Sequence, residues 1–231
     1  MEKAAQHARD GDLAYFESLP EDDLVRLCKR KDEDDRSLLH SAAGSGNLEL
    51  VQLLVTKGQS GSKVNDQDEE GWTPLQSAAS CGYEAVVGLL LQLGADVDTA
   101  NSGGRTALHY AASKGKAAVV RQLLSAGAQV DVRDTTGSTA LHRAASAGKI
   151  DCVKALVEQG KASLSAQDKT GATPLFVAVQ CDQASVAFYL AAKGRPASLE
   201  VANKEGQTPL SIAGDNASAL RQAADGAMEV E

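Results

Sequence analysis

The amino-acid sequence predicts an all-α repeat solenoid. Three observations carry that expectation. A registered set of residues recurs at steps of 36, 33, 33, 34 and 35 along the chain. Each recurrence opens with a helix-start signal and continues with two stretches of apolar residues at helical spacing. Aromatic residues make up only 3% of 231 residues, so a core has to be built from Leu, Val and Ala, which disfavours β-sandwiches and barrels.

The repeat is anchored on Ser37, Thr73, Thr106, Thr139, Thr173 and Thr208. A hydroxyl there caps a helix by accepting a backbone N–H. Pro74, Pro174 and Pro209 follow at the first helical position, where a missing N–H costs nothing. Two residues on comes an inward-facing Leu (Leu39, Leu75, Leu108, Leu141, Leu175, Leu210), and five on an Ala (Ala42, Ala78, Ala111, Ala144, Ala178, Ala213) that lets helices approach closely. Gly46, Gly82, Gly115 and Gly148 end the short first helix in a left-handed turn, with Asp182 breaking the series. A second helix carries Val87, Leu90 and Leu91, or Val120, Leu123 and Leu124, on one face, and Gly58, Gly94, Gly127, Gly160 and Gly194 close it. Polar turns follow at Asp68–Gly71, Asn101–Gly104, Asp134–Gly137, Asp168–Gly171 and Asn203–Gly206. One such unit cannot bury its own apolar face, whereas stacked units share a continuous core.

Both ends read as caps. Residues 3–33 are a capping unit, with a helix pair over 3–31 that lacks the polar turn; residues 34–202 form five full units; residues 203–231 form a capping unit with an Ala-rich second helix and a short tail. The whole chain, 1–231, is then one repeat domain of seven units. Residues 59–63 read as a small flexible insertion.

The stretches GWTPLQSAASCGYEAVVGLLLQLGADVD and GRTALHYAASKGKAAVVRQLLSAGAQVD resemble the ankyrin repeat, including its T-P-L-H-x-A signature. That resemblance implies helix pairs with short projecting β-hairpins, and a concave binding face lined by hairpin tips and first helices. A closer resemblance, carried by RSLLHSAAGSG, VNDQDEEGWTPL, GGRTALHYAASKG, TALHRAASAGK and VANKEGQTPL, is to the gankyrin family, the 26S proteasome non-ATPase regulatory subunit 10 proteins, in a plant or algal form. It implies an assembly chaperone of the proteasome regulatory particle that clasps the C-terminal domain of an ATPase subunit. The matching positions are Asp34, Arg36, Glu69, Glu70, Trp72, Tyr110, Lys114 and Arg143, and the register of the tips adds Arg105. The L-x-C-x-E retinoblastoma-binding motif of the animal protein is replaced here by LFVAVQCDQ (175–183), so that activity does not carry over. A general ankyrin adaptor for a kinase, a transcription factor or another protein is the alternative.

Charge gives that surface a polarity. Residues 1–70 hold 16 acidic and 9 basic side chains, a net −7, whereas residues 71–231 hold 15 and 14, a net −1. Trp72, the chain's one tryptophan, sits on a tip expected to be exposed, either as an interface anchor or packed on a neighbouring hairpin. A net charge of −8 and the scarcity of aromatic rings argue against nucleic acid as partner. No stretch approaches the roughly 18 apolar residues that span a bilayer, and the polar N-terminus is neither a signal nor a transit peptide.

No residue set points to catalysis, a cofactor or a metal. His40, His109 and His142 occupy the family's L-H position, which implies that the imidazole bonds the anchor hydroxyl and ties adjacent units. The Asp and Asn residues opening each turn recur once per unit, which makes them turn braces rather than a ligand cluster. Gly148-Lys149 and Gly160-Lys161 lack the rest of a phosphate loop, and Asn216–Ser218 is a chance glycosylation sequon. Cys28, Cys81, Cys152 and Cys181 are too scattered for zinc or a disulfide framework; as free thiols they indicate cytoplasm or nucleus. The expected state is a monomer.

Overall fold

The computed structural model describes residues 2–58, 63–194 and 196–226. Most of the 59–63 insertion and the tail from 227 onward lie outside the described residues. Two compact bodies are present: residues 1–111 with 125–128, and residues 112–124 with 129–231.

The first body opens with α1 (Glu2–Arg9), α2 (Leu13–Glu17) and α3 (Glu21–Cys28). The leading cap is thus three short helices rather than a pair, because Pro20 breaks the second arm and becomes the N-cap of α3. The units that follow are α4 (Leu38–Ser45) with α5 (Leu48–Lys57), α6 (Pro74–Cys81) with α7 (Glu84–Gln92), and the first helix α8 (Ala107–Ser113). Within this body α1 packs on α4, α4 on α6, and α5 on α7, burying Leu39, Leu50, Leu54, Leu75, Val87 and Leu90 almost completely.

The second body carries α9 (Ala117–Ser125), α10 (Ala140–Ser146) with α11 (Ile150–Glu158), α12 (Pro174–Gln180) with α13 (Ala184–Gly194), and α14 (Pro209–Ile212) with α15 (Ala217–Gly226). First helices again pack on first helices, α10 on α12 and α12 on α14. The Ala at five after each anchor makes this possible: Ala42, Ala78, Ala111, Ala144 and Ala178 are fully buried. Each buried Leu or Val on these faces contributes about 1.5–3 kcal/mol of transfer free energy.

The left-handed glycine turns form as expected, with φ of 79°, 89°, 73° and 66° at Gly46, Gly82, Gly115 and Gly148. Packing adds a second reason for glycine: a Cβ on Gly46 would lie 2.6 Å from the Tyr83 ring. Asp182 takes the same turn at φ 55° with a side chain attached. Asp182→Gly is therefore expected to stabilise the fold by about 0.5–1 kcal/mol, seen as a higher urea midpoint. An unchanged or lower midpoint would show that the aspartate is compensated locally.

The expected hairpins are reduced to turns, which we call tips; among the described residues the one β-bridge is Lys31 with Ser37. The reason is visible in the bonding. Asp68, Asn101, Asp134, Asp168 and Asn203 close each tip with a backbone bond to the residue before the anchor. Their side chains take further N–H groups of the same turn, such as Thr170 and Ala172 on Asp168 at 2.8 and 3.0 Å. That is the bracing role assigned to them from sequence, and it leaves little backbone for a ladder.

Histidines fasten one unit to the next. The Nδ1 atoms of His40 and His142 accept from the backbone N–H of Ser37 and Thr139 at 3.1 Å each. Their Nε2–H groups donate to the carbonyls of Trp72 and Ala172 at 2.8 and 3.0 Å. Gln76 performs the same task with an amide: Oε1 accepts from Thr73 N–H at 3.1 Å, and Nε2 donates to Thr99 and Arg105 carbonyls at 2.8 and 3.0 Å. Burial holds both imidazoles below their ordinary pKa of 6.5, against a raising effect from the carbonyls they bond. Below that pH the unfolded chain binds more protons than the folded one, so stability falls as pH drops. The thermal midpoint should be lower at about pH 5.5 than at about pH 7.5, and a double His40→Gln, His142→Gln variant should show a smaller difference.

Candidate protein-binding site

In the first body the tips and first helices bring together seven of the nine residues singled out from sequence. The backbone sets their spacing: Glu69 N–H donates to Asp34 O at 3.0 Å, and Ser102 N–H to Glu70 O at 2.9 Å. Asp34, Glu69 and Glu70 are exposed there. Arg36 is half-buried, its guanidinium 3.5 Å from the buried carboxylate of Asp68. The other oxygen of Asp68 accepts from Trp72 N–H at 2.8 Å, so a single aspartate positions both neighbours.

Trp72 is half-buried rather than fully exposed, because its ring lies against Tyr110 with centroids 4.1 Å apart at 33°. Tyr110 is fixed in turn by Asn101, whose Nδ2 donates to its hydroxyl at 2.7 Å. The Oδ1 of Asn101 takes Gly103 and Arg105 N–H at 3.1 and 3.0 Å, placing the half-buried Arg105 on the same tip. The result is a rigid aromatic pair beside two solvated carboxylates, with Ser102 Oγ donating to Glu70 Oε2 at 3.1 Å. Such a surface offers apolar contact, negative charge and little ordering entropy. Sequence reasoning missed Asn101 as the support of Tyr110; the only signal was its register nine residues before the ring.

The remaining two residues lie in the second body. Lys114 is exposed at the end of α8. Arg143 is mostly engaged within the fold: Nε donates to Asp134 Oδ2 at 2.9 Å, its terminal nitrogen meets the same carboxylate, and it also reaches Thr136 Oγ1 at 3.0 Å. Burial alone would push the Asp134 carboxyl up, but hydrogen bonds from Thr136 and Arg143 hold it well below the usual range. Arg143 thus braces its own tip more than it projects free charge. Among the described residues no three His, Cys, Asp or Glu side chains gather as a metal site requires, and no helix is long and apolar enough to cross a membrane.

The sequence matches the family described as ankyrin repeats in three overlapping copies, over residues 4–101, 39–134 and 93–168. The chain belongs to the ankyrin-repeat family. Among ankyrin relatives, it is 46% identical over 66 residues to the 26S proteasome non-ATPase regulatory subunit 10 of Dictyostelium discoideum, covering 29% of this chain and 28% of the relative. It is 48% identical over 92 residues to protein phosphatase 1 regulatory subunit 27 of Homo sapiens, covering 40% and 57%. It is 44% identical over 69 residues to the probable 26S proteasome regulatory subunit p28 of Saccharomyces cerevisiae, covering 29% of each. The matched segments therefore span between 28% and 57% of the length of these relatives. Ankyrin repeats of this kind are protein–protein interaction modules, and this chain is one.

Proposed function

We propose that this ankyrin protein is an assembly chaperone of the 26S proteasome regulatory particle, binding the C-terminal domain of an ATPase subunit through its tips and first helices. The observation that carries this reading is the Trp72–Tyr110 pair set beside exposed Glu69 and Glu70, an acidic platform with a rigid aromatic centre. Its similarity to two proteasome regulatory subunits supports the choice of partner. Binding is non-catalytic: complementary charge sets specificity and association rate, and the aromatic pair slows departure. The free thiols, two of them exposed, fit a reducing cytoplasmic and nuclear setting.

The similarity to a protein phosphatase 1 regulatory subunit favours a second reading, an adaptor for a different protein target. Affinity purification from the native cell at low and high salt separates the two. Recovery of a proteasomal ATPase that fades as salt rises supports the chaperone, since exposed charges are screened within about 10 Å at 0.1 M. Recovery of a phosphatase or another target without any proteasomal ATPase supports the adaptor.

A further inference from the structure

In two units the residue that opens the tip bonds the side chain nine residues further on, and the two pairs treat that side chain in opposite ways. Asp134 is a carboxylate and only accepts, so it takes up the protons of Arg143: Nε donates to Oδ2 at 2.9 Å, and a terminal nitrogen turns to the same oxygen. Asn101 carries an amide, whose orientation is fixed. Its Oδ1 accepts from the N–H groups of Gly103 and Arg105 at 3.1 and 3.0 Å, which leaves Nδ2 to face Tyr110. Nδ2–H donates to the phenol oxygen at 2.7 Å. A phenol oxygen accepts while its own O–H remains able to donate. The proton of Tyr110 is therefore unspent: it has no acceptor among the described residues.

The surroundings decide what that proton can meet. The ring cannot swing away, because Asn101 holds its hydroxyl and Trp72 covers one face with centroids 4.1 Å apart. Glu69 and Glu70 are exposed on the neighbouring tip, and Ser102 Oγ holds the Glu70 carboxylate at 3.1 Å against the tip that Asn101 opens. A partner's carboxylate would meet like charge there, which is costly at an interface. A neutral carbonyl meets no such opposition, and every residue of a protein partner carries one on its main chain.

We propose that Tyr110 donates its hydroxyl proton to a main-chain carbonyl of the protein partner, and that Asn101 is the positioning residue that keeps this proton available. The inference rests on the reading of this face as the binding site, and not on which protein binds there.

A double-mutant cycle on Asn101→Asp and Tyr110→Phe tests this by calorimetric titration with the C-terminal domain of the proteasomal ATPase subunit, or with the target recovered from the native cell where that is another protein. Aspartate keeps the acceptor for the Arg105 N–H, as Asp68, Asp134 and Asp168 do for the equivalent N–H in their own tips. Its second oxygen, however, captures the phenol proton. Each single variant is expected to melt like the parent and to bind about threefold to tenfold more weakly, the loss of one hydrogen bond. The double variant should bind no more weakly than Tyr110→Phe alone, since without the hydroxyl there is no proton to capture. These losses should persist at high salt, unlike those from exposed charges. The proposal is overturned if a folded Tyr110→Phe chain binds like the parent, if Asn101→Asp does so, or if Asn101→Asp weakens binding as much in the Phe background as in the parent, which would assign its effect to the added charge. Recovery of a target other than the ATPase subunit overturns the choice of partner, and the cycle then runs on that target, so the two failures are distinct.

Discussion

If the proposed chaperone function holds, a chain carrying Glu69→Lys and Glu70→Lys is expected to bind the proteasomal ATPase C-terminal domain about tenfold to a hundredfold more weakly than the parent, with most of the loss in the association rate. The reasoning starts from exposure. Both carboxylates stand in solvent, so each pairing with a partner cation is worth only about 0.2–1 kcal/mol when it stays at a wet rim. Reversal does more than delete such pairs, because it replaces attraction of a partner's cations by repulsion at two adjacent positions, leaving Asp34 as the exposed acid of that surface. The fold should hardly notice. The bonds made by Glu69 N–H and Glu70 O belong to the backbone and survive any side-chain change. The one side-chain bond lost, from Ser102 Oγ to Glu70, is exposed. Surface plasmon resonance at two ionic strengths provides the check: the gap between variant and parent should narrow as salt rises. Equal affinity at low salt would remove the acidic tips from the interface, and a lowered melting point would show that the reversal acts through folding instead.

The features legible in the sequence are those set by local, repeated chemistry. Thr73 with Pro74, the left-handed glycines and the buried Ala row each follow from one position in a unit, repeated in register in three, four and six units respectively. The His40 and His142 ties were readable as well, through the family signature. What escaped depends on side-chain rotamers meeting across units. Trp72 and Tyr110 stand 38 residues apart, and nothing in composition says that their rings meet. Arg36 and Arg143 look like free surface cations in the sequence, yet each turns to a buried aspartate, Asp68 or Asp134, because an isolated buried carboxylate is costly. The basic half of the expected charge pattern is weakened accordingly, and the acidic tips become the stronger part of the candidate site.

His142→Leu is expected to cost about 3 kcal/mol of stability, whereas His142→Gln should cost under about 1. Leucine matches the volume but not the chemistry. The imidazole is 2% exposed and its partner Thr139 is fully buried, so water cannot replace what is lost. Removing Nδ1 strips an acceptor from Thr139 N–H at 3.1 Å and a partner from its hydroxyl at 3.0 Å; removing Nε2–H takes one of two donors from the Ala172 carbonyl, which keeps the Asp168 N–H at 3.0 Å. Each buried polar group left unsatisfied costs about 1–3 kcal/mol, partly offset by the added apolar contact. Gln76 shows why glutamine should be tolerated, since its amide oxygen and nitrogen already serve both roles in its own unit. Phe176 marks the limit of the argument from the other side: an apolar ring stands in this register where the last unit, α14 with α15, is joined on, and the side-chain tie is absent there. That unit should consequently open first, with amides in α15 exchanging hydrogen faster than those in α11. Urea unfolding of the two His142 variants separates polar satisfaction from size, because Gln and Leu differ little in volume. Equal losses in both would mean that packing around the ring, and not its two hydrogen bonds, holds these units together.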